Sequence, residues 1–86
     1  MNEDFKQNLD GSNRSIGIVV AEYNSFITSK LLDSTKETLI SNNVDPNNIL
    51  VLEVAGAFEI PVVASKLAKS KKFDAIICLG AVIKGE

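Results

Sequence analysis

Three short apolar runs alternate with two longer stretches whose apolar residues recur every three or four positions. The first run, Ile16-Gly17-Ile18-Val19-Val20-Ala21, is rich in β-branched residues and has no polar alternation. That pattern predicts a strand covered on both faces. Glu22-Tyr23-Asn24-Ser25 interrupts it, and Asn24 or Ser25 is placed to cap a helix by accepting a backbone N–H. In that helix Ile27, Leu31, Thr35 and Leu39 fall on an i, i+4 stripe, widened by Leu32 and Ile40. Lys30, Lys36 and Glu37 fall elsewhere. Asn42-Asn43 ends the helix, and Asp45-Pro46-Asn47-Asn48 reads as a loop.

Ile49-Leu50-Val51-Leu52-Glu53-Val54 is the second predicted strand, and Ala55 to Glu59 is the turn after it. Pro61 suits the first turn of a helix, where its missing N–H costs nothing. Ile60, Val63, Ala64, Leu67 and Ala68 make that helix's apolar face. Lys66, Lys69, Lys71 and Lys72 crowd its end, where cations complement the helix dipole. Asp74 precedes the third strand, Ala75-Ile76-Ile77-Cys78-Leu79, in which Cys78 is expected as a buried thiol with no base to activate it. The first fourteen residues are polar, with a turn signal at Asp10-Gly11-Ser12-Asn13. They read as an arm with one short extended piece around Phe5.

Strand, helix, strand, helix, strand with short loops predicts an α/β domain over residues 15–86. Its strands would be parallel and doubly buried, with right-handed crossovers. In such sheets ligands bind beyond the carboxyl ends of the strands. Three segments meet that edge: Glu22 to Ser25, Ala55 to Glu59, and Gly80 to Glu86. The third strand has no following helix to cover it. The sequence therefore reads as the front part of a larger domain, with an apolar sheet face left for a partner.

Composition narrows the chemistry. Eighty-six residues hold one small domain, able to bury roughly 63% of its unfolded surface. With 45% hydrophobic residues and a net charge of −2, disorder is not expected. Nine Lys and Arg against eleven Asp and Glu argue against a generally basic nucleic-acid binder. The lysine group reads as a solvated helix end, since no aromatics interleave it. One Cys excludes an internal disulfide framework, and zero His excludes His-dependent catalysis or metal ligation within these residues. No Gly-rich phosphate loop occurs. The acidic start lacks the form of a signal peptide. The longest apolar run, Ala75 to Ile83, is nine residues, about half of a membrane span. A cytoplasmic protein with Cys78 reduced is expected.

The three edge segments, taken together, are more specific than any one alone. Ile16 to Asn24 is followed by Phe26-Ile27-Thr28-Ser29-Lys30-Leu31-Leu32. Then come Val54-Ala55-Gly56-Ala57-Phe58-Glu59-Ile60-Pro61 and Asp74 to Gly85. From about Arg14 onward this resembles the 6,7-dimethyl-8-ribityllumazine synthase family. The resemblance implies a flavodoxin-like three-layer α/β/α sandwich with a four-stranded parallel sheet. It implies a homo-oligomer, a pentamer or a 60-mer built from pentamers, with sites between neighbouring subunits. The implied reaction is a step of riboflavin biosynthesis. It joins 5-amino-6-(D-ribitylamino)uracil to 3,4-dihydroxy-2-butanone 4-phosphate without a cofactor: an imine forms, phosphate leaves and the ring closes.

The family's substrate-binding positions carry over residue by residue. Tyr23 matches the aromatic that stacks on the pyrimidine ring, and Asn24 follows it as in the family. Ala57, Phe58 and Glu59 match the segment that binds the ribityl chain and ring. A carboxylate suits sugar hydroxyls because it accepts several hydrogen bonds. Ala81, Val82 and Ile83 match the segment whose backbone reads the uracil edge. Lys84, Gly85 and Glu86 open the loop for the butanone phosphate, where Gly85 lets backbone N–H groups approach an anion and Glu86 would help through its backbone N–H alone. The family's proton-transferring His would fall three residues past Glu86, and its phosphate-binding Arg later still. No catalytic residue is therefore assigned, and this stretch alone is expected to be inactive.

Each feature also has a plainer reading. Tyr23 and Phe58 would serve as packing residues, Glu59 as a carboxylate at a helix dipole, Ala81 to Ile83 as strand filler, and Lys84 as a solvated cation. Two non-enzymatic functions stay open beside the synthase. One is a flavodoxin-like module that binds a ligand without turnover. The other is an assembly piece that completes the sheet of a partner subunit.

Overall fold

The computed structural model describes residues 10–82. The expected extended piece around Phe5 lies outside them, as do Ile83, Lys84, Gly85 and Glu86. The five elements follow the predicted order: β1 (Ile16–Ala21), α1 (Ser25–Ser41), β2 (Ile49–Val54), α2 (Ile60–Lys69) and β3 (Ala75–Leu79). Single 3-10 turns at Pro46–Asn48 and Ala57–Glu59 precede β2 and α2. The strands form one parallel sheet in the order β2-β1-β3.

Alternation along β1 divides the core between two faces. Ile16 and Ile18 pack with Val44, joined by Leu32 and Leu39 of α1 and by Ile49, Val51, Ile77 and Leu79. Val19 and Ala21 pack with Ile60, joined by Val63, Ala64 and Leu67 of α2 and by Val54 and Ile76. The helices therefore cover opposite faces, as a three-layer α/β/α arrangement requires. Gly17 allows close approach on the α2 face: an added Cβ would sit 3.2 Å from Ile76 Cδ1 and 3.4 Å from Leu67 Cδ1.

Only β1 is buried along its whole length. The expectation of doubly buried strands fails for β2 and β3, which are the edges of this sheet and are half-exposed. Cys78 is likewise exposed rather than buried, because it sits on the edge strand β3. The apolar stripe of α1 is also rotated from its predicted centre. Thr28 is buried while Ile27, Leu31 and Ile40 are exposed. Thr28 accounts for part of the rotation: its hydroxyl and its N–H both bond to the Asn24 carbonyl, so a polar residue goes inward satisfied. Leu31 and Leu39 then border an open groove of about 360 Å³ against Ile77. This groove is where the uncovered apolar face was expected.

The helix ends follow local chemistry. At the end of α1, Asn43 is left-handed (φ 73°), Val44 N–H donates to Leu39 O and Asn43 N–H to Ile40 O. This is a Schellman motif, with Val44 buried beside Leu39 as its hydrophobic contact. Gly11 lies against this corner, and a Cβ there would overlap Val44 Cγ2. Asp45 starts the 3-10 turn by accepting from Asn47 N–H at 2.9 Å. In α2, Pro61 occupies the first turn, Lys66 and Lys69 the last, and Ala68 lies off the buried stripe.

Asp74 joins the amino ends of β1 and β3. Its Oδ2 accepts from Ser15 N–H at 2.7 Å, and its own N–H donates to Ser15 O at 2.8 Å. Its Oδ1 lies 3.7 Å from Arg14, with both side chains well exposed. The charge-assisted bond to the amide should outweigh the solvated ion pair. Asp74→Ala is therefore expected to cost about 1–2 kcal/mol, and Arg14→Ala less than about 0.5 kcal/mol. Urea denaturation of both variants checks the order.

The carboxylate of Asp10 is held below its ordinary pKa of 3.8, foremost by the Ser12 hydroxyl, then by the Ser12 N–H and the Asn43 amide. A depressed folded pKa means that this stability is present above the unfolded value and is lost as pH falls through the folded one. Asp10→Asn is accordingly expected to lower the urea midpoint slightly at neutral pH. The difference should begin to shrink below about pH 4 and vanish only once the pH has fallen below the depressed folded value. A difference that persisted unchanged into acid would contradict the assignment.

Candidate functional site

Because the strands are parallel and in register, their carboxyl ends finish at one level. Val20 pairs with Glu53 and with Leu79, and Ala21 with Val54. The three segments that leave this edge are thereby brought together, although they are distant in sequence. They enclose an open cleft of about 370 Å³.

The first wall comes from the turn after β1. Glu22 N–H donates to Val54 O at 2.7 Å and Tyr23 N–H to Ala55 O at 3.1 Å, extending the pairing with β2 past the strand proper. Tyr23 then borders the cleft with its side chain largely exposed. Asn24 turns the chain sharply, with φ 61° and ψ 49°. Neither Asn24 nor Ser25 caps α1 with its side chain, contrary to expectation. Side-chain capping suits an extended backbone, whereas Asn24 is left-handed. Its carbonyl instead accepts from Ile27 N–H (2.9 Å) and Thr28 N–H (3.1 Å). Its side-chain Nδ2 is buried with no acceptor among the described residues.

The second wall is the turn from Ala55 to Glu59. Ala55, Gly56, Ala57, Phe58 and Glu59 all line the cleft. Glu59 N–H closes the 3-10 turn on Gly56 O at 3.2 Å. Phe58 is 93% exposed, so it packs in no core of the described residues. The plainer reading of Phe58 as a packing residue therefore does not hold among the described residues. Glu59 stands at the start of α2, makes no side-chain capping bond and is exposed. Its Oε2 lies over Gly56, 3.4 Å from where a Cβ would be. The carboxylate is thus free to accept hydrogen bonds from a ligand.

The third wall follows β3. Gly80 passes so near α2 that an added Cβ would meet Ile60 Cδ1 at 3.1 Å and Ala57 Cβ at 3.4 Å. This close approach sets Ala81 and Val82 against the Ala57 turn, and both line the cleft. Ile83 and Glu86, expected to extend this wall, lie outside the described residues.

Six residues singled out from the sequence therefore meet at one cleft: Tyr23, Ala57, Phe58, Glu59, Ala81 and Val82. Ala55 and Gly56 join them, which their place in the same turn already suggested. The left-handed Asn24 and the close-packed Gly80 carried no comparable signal in one sequence. Chemically the cleft offers an aromatic ring on each of two walls, one carboxylate, and backbone groups along an apolar third wall. That set can stack against a flat ring and accept hydrogen bonds from a ligand's donors. Among the described residues no cluster of three His, Cys, Asp or Glu could hold a metal ion. No helix among them is long and apolar enough to cross a membrane.

A sequence model of one protein family, described as 6,7-dimethyl-8-ribityllumazine synthase, matches residues 13–86.

Proposed function

Since the chain belongs to the 6,7-dimethyl-8-ribityllumazine synthase family, we propose that its carboxyl-edge cleft binds 5-amino-6-(D-ribitylamino)uracil for lumazine formation in riboflavin biosynthesis. The convergence of Tyr23, the Ala57–Glu59 turn and Ala81-Val82 on one cleft carries this reading. The pyrimidine stacks on Tyr23, where an aromatic face is worth about 0.5–1.5 kcal/mol beyond its buried area. Glu59 accepts from ribityl hydroxyls, and the first N–H groups of α2 add donors beside it. Backbone groups of Ala81, Val82 and Ile83 pair with the uracil edge. The segment from Lys84 to Glu86 receives the butanone phosphate, with glycine at position 85 allowing backbone N–H groups to approach an anion.

Within this reading the described residues bind and orient the substrate. The amine condenses with the butanone to an imine, phosphate departs and the ring closes. Proton transfer, worth typically about 10²–10⁴-fold, falls to groups outside residues 10–82. The working form is a pentamer or a shell of pentamers in the cytoplasm, with the exposed rings of Tyr23 and Phe58 facing a subunit boundary.

Calorimetric titration with ribitylaminouracil tests the reading. Saturable binding is expected, lost when Tyr23→Ala and Glu59→Ala are combined. Absence of binding at millimolar ligand, weaker than about −4 kcal/mol, would remove the support for it.

A further inference from the structure

We infer that Asn24 is a positioning residue for the cleft: its left-handed backbone fixes the direction in which the Tyr23 ring leaves β1. The inference deepens the ligand reading above and rests on it for its functional meaning. Among the described residues four non-glycine residues have positive φ: Asn13, Asn24, Asn43 and Lys71. Asn13 lies in a turn before β1, while Asn43 and Lys71 follow helix C-termini, where a left-handed residue is the ordinary way to stop. Asn24 differs from all three. It precedes a helix, where the cap residue is normally extended. Starting α1 therefore gives no reason for a left-handed residue.

What the conformation does achieve is local. Tyr23 is tied on its own N–H to Ala55 O, and the next residue reverses the chain so that the Asn24 carbonyl receives the first N–H groups of α1. The Tyr23 Cα is thus held between a sheet-like bond and a fixed turn, with its ring on the cleft. Asn also carries a cost here, since its Nδ2 is buried without an acceptor among the described residues. An unusual backbone and a buried donor with no acceptor among the described residues, held at one position beside a cleft residue, point to function rather than to fold stability. Asparagine tolerates the left-handed region better than any other residue except glycine.

The chain has one Tyr and no Trp, so intrinsic fluorescence reports Tyr23 alone. Three proteins are compared: wild type, Asn24→Gly and Asn24→Ala. Glycine adopts this φ freely, whereas alanine crowds its Cβ against the carbonyl. Acrylamide quenching of Tyr23 is measured without ligand, and ribitylaminouracil affinity by calorimetry. For Asn24→Ala we expect altered quenching and about tenfold weaker binding. For Asn24→Gly we expect wild-type quenching, with affinity within about threefold. Asp74→Ala, a remote destabilised variant, should change neither, which separates positioning from general loss of stability. Wild-type values in Asn24→Ala, or equal losses in the glycine and alanine variants, would overturn the inference. If Asn24→Ala does not fold, Asn24→Gly decides: altered Tyr23 quenching in a folded glycine variant overturns it. Failure of the wild type to bind ligand would count against the ligand reading, while the quenching comparison would still decide the role of Asn24.

Discussion

Ile18→Ala is expected to cost about 2–5 kcal/mol, the largest loss from any conservative truncation in this chain. Ile18 is fully buried on the central strand, and it contacts the core beneath α1 with β2 on one side and β3 on the other. Its neighbours are anchored on a helix, a helix-ending turn and the two flanking strands (Leu32, Leu39, Val44, Val51 and Ile77), so the void can collapse only in part. Domains of this size have total stabilities on the order of 5–10 kcal/mol. Each kcal/mol lowers Tm by roughly 4–8 °C, so a fall of about 8 °C or more should appear in a thermal melt. Ile18→Val, which removes a single methylene, should cost only about 0.5–1.5 kcal/mol. Truncating Leu50, which is 43% exposed on the edge strand β2, should cost less than Ile18→Ala. Equal losses at Ile18 and Leu50 would mean that β1 is not the centre of the sheet.

Glu59→Ala is expected to weaken ribitylaminouracil binding by about 10- to 100-fold, the value of about 1.5–3 kcal/mol for hydrogen bonds to a charged group. Stability should barely change, because the side chain is exposed and makes no capping bond. Glu59→Gln tests which property matters. It keeps one acceptor oxygen and similar size but loses the charge, so its affinity should lie between those of wild type and Glu59→Ala. Calorimetry on the three proteins, with urea midpoints alongside, separates binding from folding. Were Glu59→Ala to bind normally, the carboxylate would serve the helix dipole instead.

Ordinary local rules recover the layout from sequence. Short apolar runs with β-branched residues mark β1 to β3, and Asn42-Asn43 and Pro61 mark helix ends that the structure retains. The family resemblance is matched by the sequence model over nearly all the described residues. What the pattern misplaced depends on neighbours. Cys78 looks like core in its strand, yet its exposure is decided by lying on the sheet edge. Thr28 counts as polar in any periodicity, but a carbonyl one turn back satisfies it and lets it turn inward. Asn24 was legible as a boundary and not as a left-handed turn. Several residues could have filled a cap, and only the backbone shows which geometry was chosen. The cleft itself was legible because parallel strands must finish on a common edge. The closeness of its third wall was not, since that depends on Gly80 meeting Ile60 and Ala57.

Backbone amide chemical-shift mapping during titration with ribitylaminouracil tests the central claim most directly. Perturbations are expected to cluster at Tyr23, Gly56 to Glu59, and Ala81-Val82, the three segments that meet at the carboxyl edge. Perturbations confined to the groove of Leu31, Thr38 and Ile77, or to the amino edge around Ser15 and Asn47, would contradict it.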